Sequence, residues 1–281
     1  MQEIKEKLKQ LYPNGQWSIN DSPVGASRQA YIAENGQKKL FIKFDVRTST
    51  LKRLSELGVT PALVYAGAEG SKPYIFQEFV EGKQPDKSWY VAHLEELAGF
   101  ISKYHKDEIL KGLLSSDQEQ TYQEHIIKEL EYMADNLKAV QSAVFEKKEV
   151  KDGINTLKEE SKSLKPVPLV PTHSDPNPQN FLLTPKGLTM VDWDDIVLSD
   201  PMKDISLILW WYIPRSKWTD FLKIYGQDLD EEKIYWWIAR ATLSIAAWYD
   251  KRGNSEYAKF FVDDFLLALQ HKNNSQIFNN P

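Results

Sequence analysis

The sequence contains no cysteine. Disulfides, thiolate nucleophiles, iron–sulfur clusters and cysteine-bearing zinc motifs are therefore excluded, and a reducing compartment is permitted. An excess of positive charge is also missing. With 35 Lys and Arg against 40 Asp and Glu, the formal charge is −5, the wrong sign for general affinity to nucleic acid or anionic membranes. The longest apolar runs, residues 207–213 and 234–239, fall far short of the ~20 residues a spanning helix needs. Residues 1–11 are rich in Lys and Glu, unlike a signal peptide. The 5 histidines form no HExxH pair, which disfavours a zinc hydrolase. A soluble, cytoplasmic protein with neither nucleic-acid nor membrane partners is expected.

What is present is an ordinary globular balance, 42% hydrophobic and 27% charged over 281 residues, long enough for one large domain or two smaller ones. Ile4, Leu8 and Leu11 are spaced as one helical face, which Pro13, Asn14 and Gly15 terminate. Residues 17–19, 28–33 and 40–44 read as strands, with Asn35-Gly36 as a hairpin turn. A helix over 48–57 follows, then strands over 62–66 and 74–80. Beyond Gly82 and Pro85 the period changes from 2 to 3.6. Leu94, Leu97, Phe100, Ile101 and Tyr104 form one helical face, and Leu130, Met133, Leu137, Val140 and Val144 another. The exception is residues 166–201, where prolines forbid a helix. Asp200-Pro201 reads as an N-cap and first helical position that restart the helices. A frayed tail is expected over 273–281.

The chemistry concentrates in that proline-rich segment. Residues 181–183 and 188–191 are strand-like around the turn 184–187, so a hairpin is the simplest reading. Counting outward from its centre places Asn180 and Asp192 almost opposite each other at the open end, where opposed Cβ atoms lie roughly 5 Å apart. A carboxylate beside an amide oxygen is hard-ligand chemistry, suited to magnesium that keeps waters and phosphate oxygens in its other positions. Asp175, in the loop just upstream, is a candidate base or nucleophile-orienting group. His173 is assigned to orienting the loop beside Asp175. Taken singly, such Asp and Asn residues mostly cap backbone groups in turns; the joint arrangement favours a site.

His173-x-Asp175-x4-Asn180, followed by a hairpin and Asp192, resembles the catalytic loop and metal-binding motif of the aminoglycoside phosphotransferase and choline kinase family. The order of elements matches that family over nearly the whole chain. The resemblance implies an α+β, protein-kinase-like two-lobed fold: a small antiparallel-sheet N-lobe over residues 1–80 that binds nucleotide, and a larger, mainly helical C-lobe over 81–281 that holds the catalytic and substrate residues. It implies ATP or GTP and Mg2+ as cofactors, with Asp175 as catalytic base, Asn180 and Asp192 as metal ligands, and Lys43 on the nucleotide phosphates. Gly25 and Ser27 would lie in the phosphate-covering turn, and Gln77, Glu78, Phe79 and Val80 at the adenine. Asp200-Pro201-x-x-Asp204 would buttress the catalytic loop. Phosphoryl transfer asks for this set, since it depends on charge neutralisation and on aligning the attacking hydroxyl. In the sequence 40–44 alternation puts Lys43 on the face opposite Leu40, Ile42 and Phe44, either paired with an acid or snorkelling to solvent. The family's helix glutamate that pairs with this lysine falls here near Arg47, so Asp45, Glu56 or another acid would have to orient Lys43.

Seven of the nine Trp lie between Trp193 and Trp248. Asp194 and Asp195, with Trp210, Trp211, Trp248 and Asp250, could form an aromatic and acidic surface for a cationic guest, although Trp at helical spacing also builds cores. The expected reaction is transfer of a phosphoryl group to a hydroxyl of a small, cationic molecule, aminoglycoside-like or choline/ethanolamine-like. Two alternatives stand beside it. A protein kinase of this fold is disfavoured because the segment from Asp192 to Asp200 is too short for an activation loop. A non-catalytic or weakly active nucleotide-binding protein is kept open by the missing helix glutamate.

Overall fold

Ile4 and Leu8, one helical turn apart, are fully buried and form the inner face of α1 (Gln2–Leu11) in the computed structural model, which describes residues 2–22, 29–115 and 121–273. The strands β1 (Ser18–Asp21), β2 (Ala30–Glu34) and β3 (Lys39–Phe44) precede α2 (Thr48–Glu56), and β4 (Leu63–Glu69) and β5 (Lys72–Glu78) complete an antiparallel sheet of order β1-β2-β3-β5-β4. Helices then dominate: α3 (Lys87–Ala92), α4 (Leu94–His105), α5 (Glu108–Leu114), α6 (Tyr122–Leu137) and α7 (Lys148–Glu160). The short strands β6 (Val170–Thr172), β7 (Phe181–Thr184), β8 (Gly187–Met190) and β9 (Val197–Ser199) interrupt them before α8 (Met202–Tyr212), α9 (Trp218–Tyr225), α10 (Glu231–Asp250) and α11 (Ser255–Leu269). The expected α+β class, a small antiparallel sheet and a mainly helical remainder, is what the chain adopts. Among the described residues no helix is long and apolar enough to cross a membrane.

Two compact units emerge. The first comprises Met1–Pro85, Asp107–Leu114 and Pro178–Ile196, and the second Asp86–Lys106, Ser115–Asn177 and Val197–Pro281. In the first, alternation along β3 sends Leu40, Ile42 and Phe44 into a core with Ile4, Leu8, Tyr74 and Phe76, which leaves Phe41 and Lys43 on the opposite face. The turn after β2 is held by Asn35, whose Oδ1 accepts from the amides of Gln37 and Lys38, with Gly36 at φ 80°. The hairpin β7–β8 belongs to this unit. Its Leu183 exchanges two backbone hydrogen bonds with Lys83 at 2.8 and 3.1 Å, and the Met190 amide donates to Val59 O at 2.9 Å. Gly82 permits that approach, because a Cβ there would lie 2.8 Å from Leu183 O.

The second unit is built on α10, buried on nearly every side and accordingly mostly apolar. Its two buried cations, Arg240 and Lys233, are paired. Arg240 contacts Glu129, which Lys203 also reaches at 2.6 Å, and Lys233 lies 3.3 Å from Asp200. Burial alone would raise the Glu129 carboxyl, but Arg240 and Lys203 outweigh it and hold it at about 2. Two sequence-based boundaries shift. The helix expected through Val144 stops at Leu137, and Val144 lies in a separate 3-10 turn, Ala143–Glu146. The α8 helix starts one residue later than expected, with Pro201 at its N-cap, and Asp200 Oδ1 still accepts the Met202 amide at 2.8 Å. The tail lies outside the described residues beyond Asn273.

Candidate active site

The hairpin register pairs Phe181 with Met190 and Thr184 with Gly187. Extended by one residue it sets Asn180 against Val191, whose amide donates to Asn180 O at 2.9 Å. Asp192 is thus one position beyond Asn180's partner rather than opposite it. There the chain turns sharply: Asp192 takes left-handed backbone angles of φ 62° and ψ 57° and leads into a 3-10 turn, Trp193–Asp195. Left-handed backbone costs a non-glycine residue roughly 1–2 kcal/mol, so it persists where neighbouring contacts impose it. Trp193 supplies one such contact, being buried with Nε1 donating to Met190 O at 2.9 Å. Arg47 supplies another, donating from Nη1 to Ile196 O at 3.2 Å.

Lys43 meets this turn. Its ammonium lies 2.8 Å from Oδ1 of Asp192 and 2.8 Å from Oδ1 of Asp194. Of the two open readings, snorkelling to solvent is excluded, since Lys43 is buried. No acid of α2 takes the role: Glu56 pairs with Arg53 at 3.2 Å, and Lys43 is paired with Asp192 and Asp194 at the hairpin end. Asp194, expected on an acceptor surface, is instead a partner of the lysine. Two carboxylates and an amide are hard oxygen donors fitted to magnesium, with Asn180 and Asp192 the candidate ligands. Among the described residues no cluster of three or more His, Asp and Glu is gathered for a metal ion.

The loop of His173 and Asp175, in the second unit, rests on one buried carboxylate. Asp204 accepts the His173 amide at 2.8 Å on Oδ2 and the Ser174 amide at 2.8 Å on Oδ1. Tyr104 OH donates to Oδ2 at 3.0 Å, and His105 Nε2 lies 3.1 Å from the same oxygen. Burial alone would raise the Asp204 carboxyl; the hydrogen bond from His105 and the nearby imidazoles outweigh it and hold it below the ordinary range. Ser174 is kept at φ 73°. The Asp175 amide donates to His173 Nδ1 at 3.3 Å. Asp175 itself is exposed, and Asn177 Nδ2 donates to its Oδ2 at 2.8 Å. Tyr212 stacks on Tyr90 with centroids 4.6 Å apart. Burial pushes its phenol well above its ordinary value, with Tyr90 and the Asp175 carboxylate adding to the effect.

Other expected site residues lie elsewhere or play other parts. Gly25 and Ser27 fall outside the described residues. Gln77 turns its amide to Pro61 O at 3.0 Å, so its side chain is committed within the first unit. Glu78 is exposed and 3.1 Å from Lys186, while Lys39 lies over the Phe79 ring and Val80 is half-buried beside it in sequence. Asp195 is exposed. The aromatic and acidic surface is not assembled as expected. Trp210 and Trp211 are buried and donate from Nε1 to Asp264 at 3.0 and 3.3 Å. Asp250 is buried and accepts the Gln141 and Ser142 amides. Trp248 is 46% exposed, but Arg252 already covers its ring at 3.6 Å. A cavity of about 610 Å³, lined by His93, Glu95, Asp220 and Lys223 among others, contains none of the expected residues. Sequence reasoning missed Asn177, Tyr104 and His105. Asn177, two residues from Asp175, was open to notice as a local Asx partner; Tyr104 and His105 reach Asp204 only through the fold.

Comparison with known proteins places this geometry. The choline kinase LicA from Streptococcus pneumoniae is similar with a TM-score of 0.70 at 17% identity, over 96% of this chain and 98% of that one. Spectinomycin phosphotransferase APH(9)-Ia, solved with ADP and spectinomycin, gives 0.68 at 14% identity, over 96% and 98%. A choline/ethanolamine kinase family protein from Mesorhizobium loti gives 0.66 at 14%, over 99% and 96%. These likenesses establish a kinase-like fold. The model of the phosphotransferase enzyme family matches residues 28–239, a span that runs from the first unit through Lys43, Asp175, Asn180, Asp192 and Asp204 into α10. The chain therefore belongs to the phosphotransferase enzyme family and is a small-molecule kinase.

Proposed function

We propose that the protein transfers the γ-phosphoryl group of ATP, or of GTP, to a hydroxyl of a small amine-bearing molecule of aminoglycoside or choline/ethanolamine type. The observation that carries this reading is the buried Lys43 ammonium shared between Asp192 and Asp194, a charge arrangement suited to phosphates and a metal. The structural neighbours act on choline and spectinomycin, and one was solved with ADP. The net charge of −5 favours a cationic acceptor. Trp210, Trp211 and Asp250 are engaged in the core instead.

In this mechanism Lys43 contacts the nucleotide phosphates, while Asn180 and Asp192 hold magnesium. Asp175 accepts a hydrogen bond from the acceptor hydroxyl and takes its proton as the oxygen–phosphorus bond forms. The bond from the γ-phosphorus to the β,γ-bridging oxygen breaks, and the nucleoside diphosphate leaves with that oxygen's electron pair. Magnesium, when bound, neutralises charge on the phosphate oxygens. The backbone of residues 77–80 would line the adenine. Residues 1–80 would act as the nucleotide lobe, residues 81–281 as the catalytic and acceptor lobe, in the cytoplasm. Full pairing of Lys43 weighs against the alternative of a non-catalytic nucleotide-binding protein, which drew on the missing helix glutamate.

The test is ATP consumption with magnesium, screened over choline, ethanolamine, homoserine, spectinomycin and macrolides. One acceptor should be turned over, and Asp175→Ala should abolish transfer while leaving nucleotide affinity nearly unchanged. Full activity in Asp175→Ala would remove Asp175 as base.

A further inference from the structure

We propose that Asp194 is a positioning residue that holds the Lys43 ammonium so that Asp192 is released to the metal. The inference rests on the reading above, in which Lys43 meets phosphates and Asp192 meets magnesium.

The two carboxylates are equidistant from the ammonium but not equivalent. The Asp192 side chain is 44% exposed and that of Asp194 13%, so a ligand from solvent has ready access to one and little to the other. Asp194 is also fixed from both sides, by the buried Trp193 anchored on Met190 O and by Arg47 on the Ile196 carbonyl. No residue of α2 offers the same service. Glu56 is the one acid of that helix and it is engaged with Arg53. Arg47, where an acid was expected, grips the turn that carries Asp194 instead.

Electrostatics gives this arrangement a consequence. A buried ammonium requires an anionic partner. If Asp192 were its only one, the lysine and a divalent cation would compete for the same carboxylate. A second, enclosed carboxylate lifts that competition: the ammonium stays charged and aimed while Asp192 turns to the metal. Removing Asp194 should leave Lys43 clamped on Asp192 and make metal-assisted nucleotide binding harder.

The experiment titrates a fluorescent ATP analogue onto the full chain at increasing magnesium, without any acceptor. Asp194→Asn should raise the magnesium concentration for half-maximal nucleotide binding by roughly 10- to 100-fold, the scale of one lost charge-assisted hydrogen bond. Asp194→Glu should recover part of it. Lys43→Met should weaken nucleotide binding by itself, and adding Asp194→Asn to Lys43→Met should produce no further change in magnesium dependence. An equal effect of Asp194→Asn in both backgrounds, or none in either, overturns the inference and leaves the assignment of Lys43 intact. Unchanged nucleotide binding in Lys43→Met overturns both. Should Asp194→Asn fail to fold, Asp194→Ser carries the same cycle.

Discussion

Asp204→Asn is the sharpest perturbation of the loop that presents Asp175. Asp204 is fully buried and serves four donors, three on Oδ2 and the Ser174 amide alone on Oδ1. An asparagine keeps the most hydrogen bonds by aiming its oxygen at the crowded side, which turns its NH2 against the Ser174 N–H. One buried donor then loses its acceptor, about 1–3 kcal/mol, and the remaining bonds lose their charge assistance. Together the loss should be about 3–5 kcal/mol, comparable to breaking a buried ionic contact. At roughly 2–4 °C per kcal/mol for a chain of this size, the melting temperature should fall by about 10 °C. Ser174, no longer held at φ 73°, should relax and carry Asp175 with it, so kcat should fall while nucleotide affinity changes little. Thermal melts and steady-state kinetics measure both. The acid limb provides a third check. Because the folded Asp204 carboxyl lies below its ordinary 3.8, its contribution to stability is present above pH 3.8 and lost as the pH falls through the folded value; Asp204→Asn should flatten that limb. A melting temperature within 2 °C of the parent, with unchanged kcat, would refute this account of the loop.

Two further outcomes are expected. His125, lowered from 6.5 to about 4 by burial, contributes about 3 kcal/mol above pH 6.5 that is lost as the pH falls through about 4, whereas Asp264, raised from 3.8 to about 6 by burial, contributes about 3 kcal/mol below pH 3.8 that is lost as the pH rises through about 6. The two oppose each other, so Asp264→Asn should gain stability relative to the parent between pH 4 and 7 in urea unfolding, and a pH-independent difference would contradict the assignment. Gly82→Ala brings a Cβ to 2.8 Å from Leu183 O, and crowding of about 1–3 kcal/mol should lower the melting temperature by several degrees; an unchanged melt would show that the Lys83–Leu183 pairing yields freely.

Period-2 alternation was enough to separate Lys43 from Leu40, Ile42 and Phe44, because a strand's two faces are fixed by local geometry alone. The same count around the turn 184–187 found the hairpin and placed its polar end within one residue of the observed register. The left-handed twist at Asp192 was not open to such counting, since it arises from Lys43, Trp193 and Arg47 converging after folding. The aromatic segment shows a different limit. Paired Trp residues at 210–211 and 236–237 point in directions about 100° apart on a helix, so neither pair can lie on one exposed face. In α8 and α10 both members are buried, and adjacency itself marked those helices as core. Asp250 looked available only because its partner, the Gln141 amide, is remote in sequence.

Each of the two units carries a charged cluster, and the two clusters use one device with opposite signs. In the first unit a buried cation, Lys43, gathers two carboxylates around the left-handed Asp192; in the second a buried anion, Asp204, gathers two backbone amides around the left-handed Ser174. The difference lies in what is left exposed. Around Lys43 one gathered carboxylate, Asp192, is itself exposed and the other, Asp194, is enclosed, so changing a charge there should alter what binds. Around Asp204 the gathered groups are two main-chain amides and the buried side chains of Tyr104 and His105, and the exposed product is Asp175, so changing that charge should alter folding and the aim of one carboxylate. Substitutions in the first cluster should therefore register in magnesium and nucleotide titrations with small changes in melting temperature, and substitutions in the second in melting temperature and kcat with small changes in nucleotide affinity. A variant of Asp204 that lowered nucleotide affinity as much as a variant of Lys43 would show that this separation of charge from scaffold does not hold.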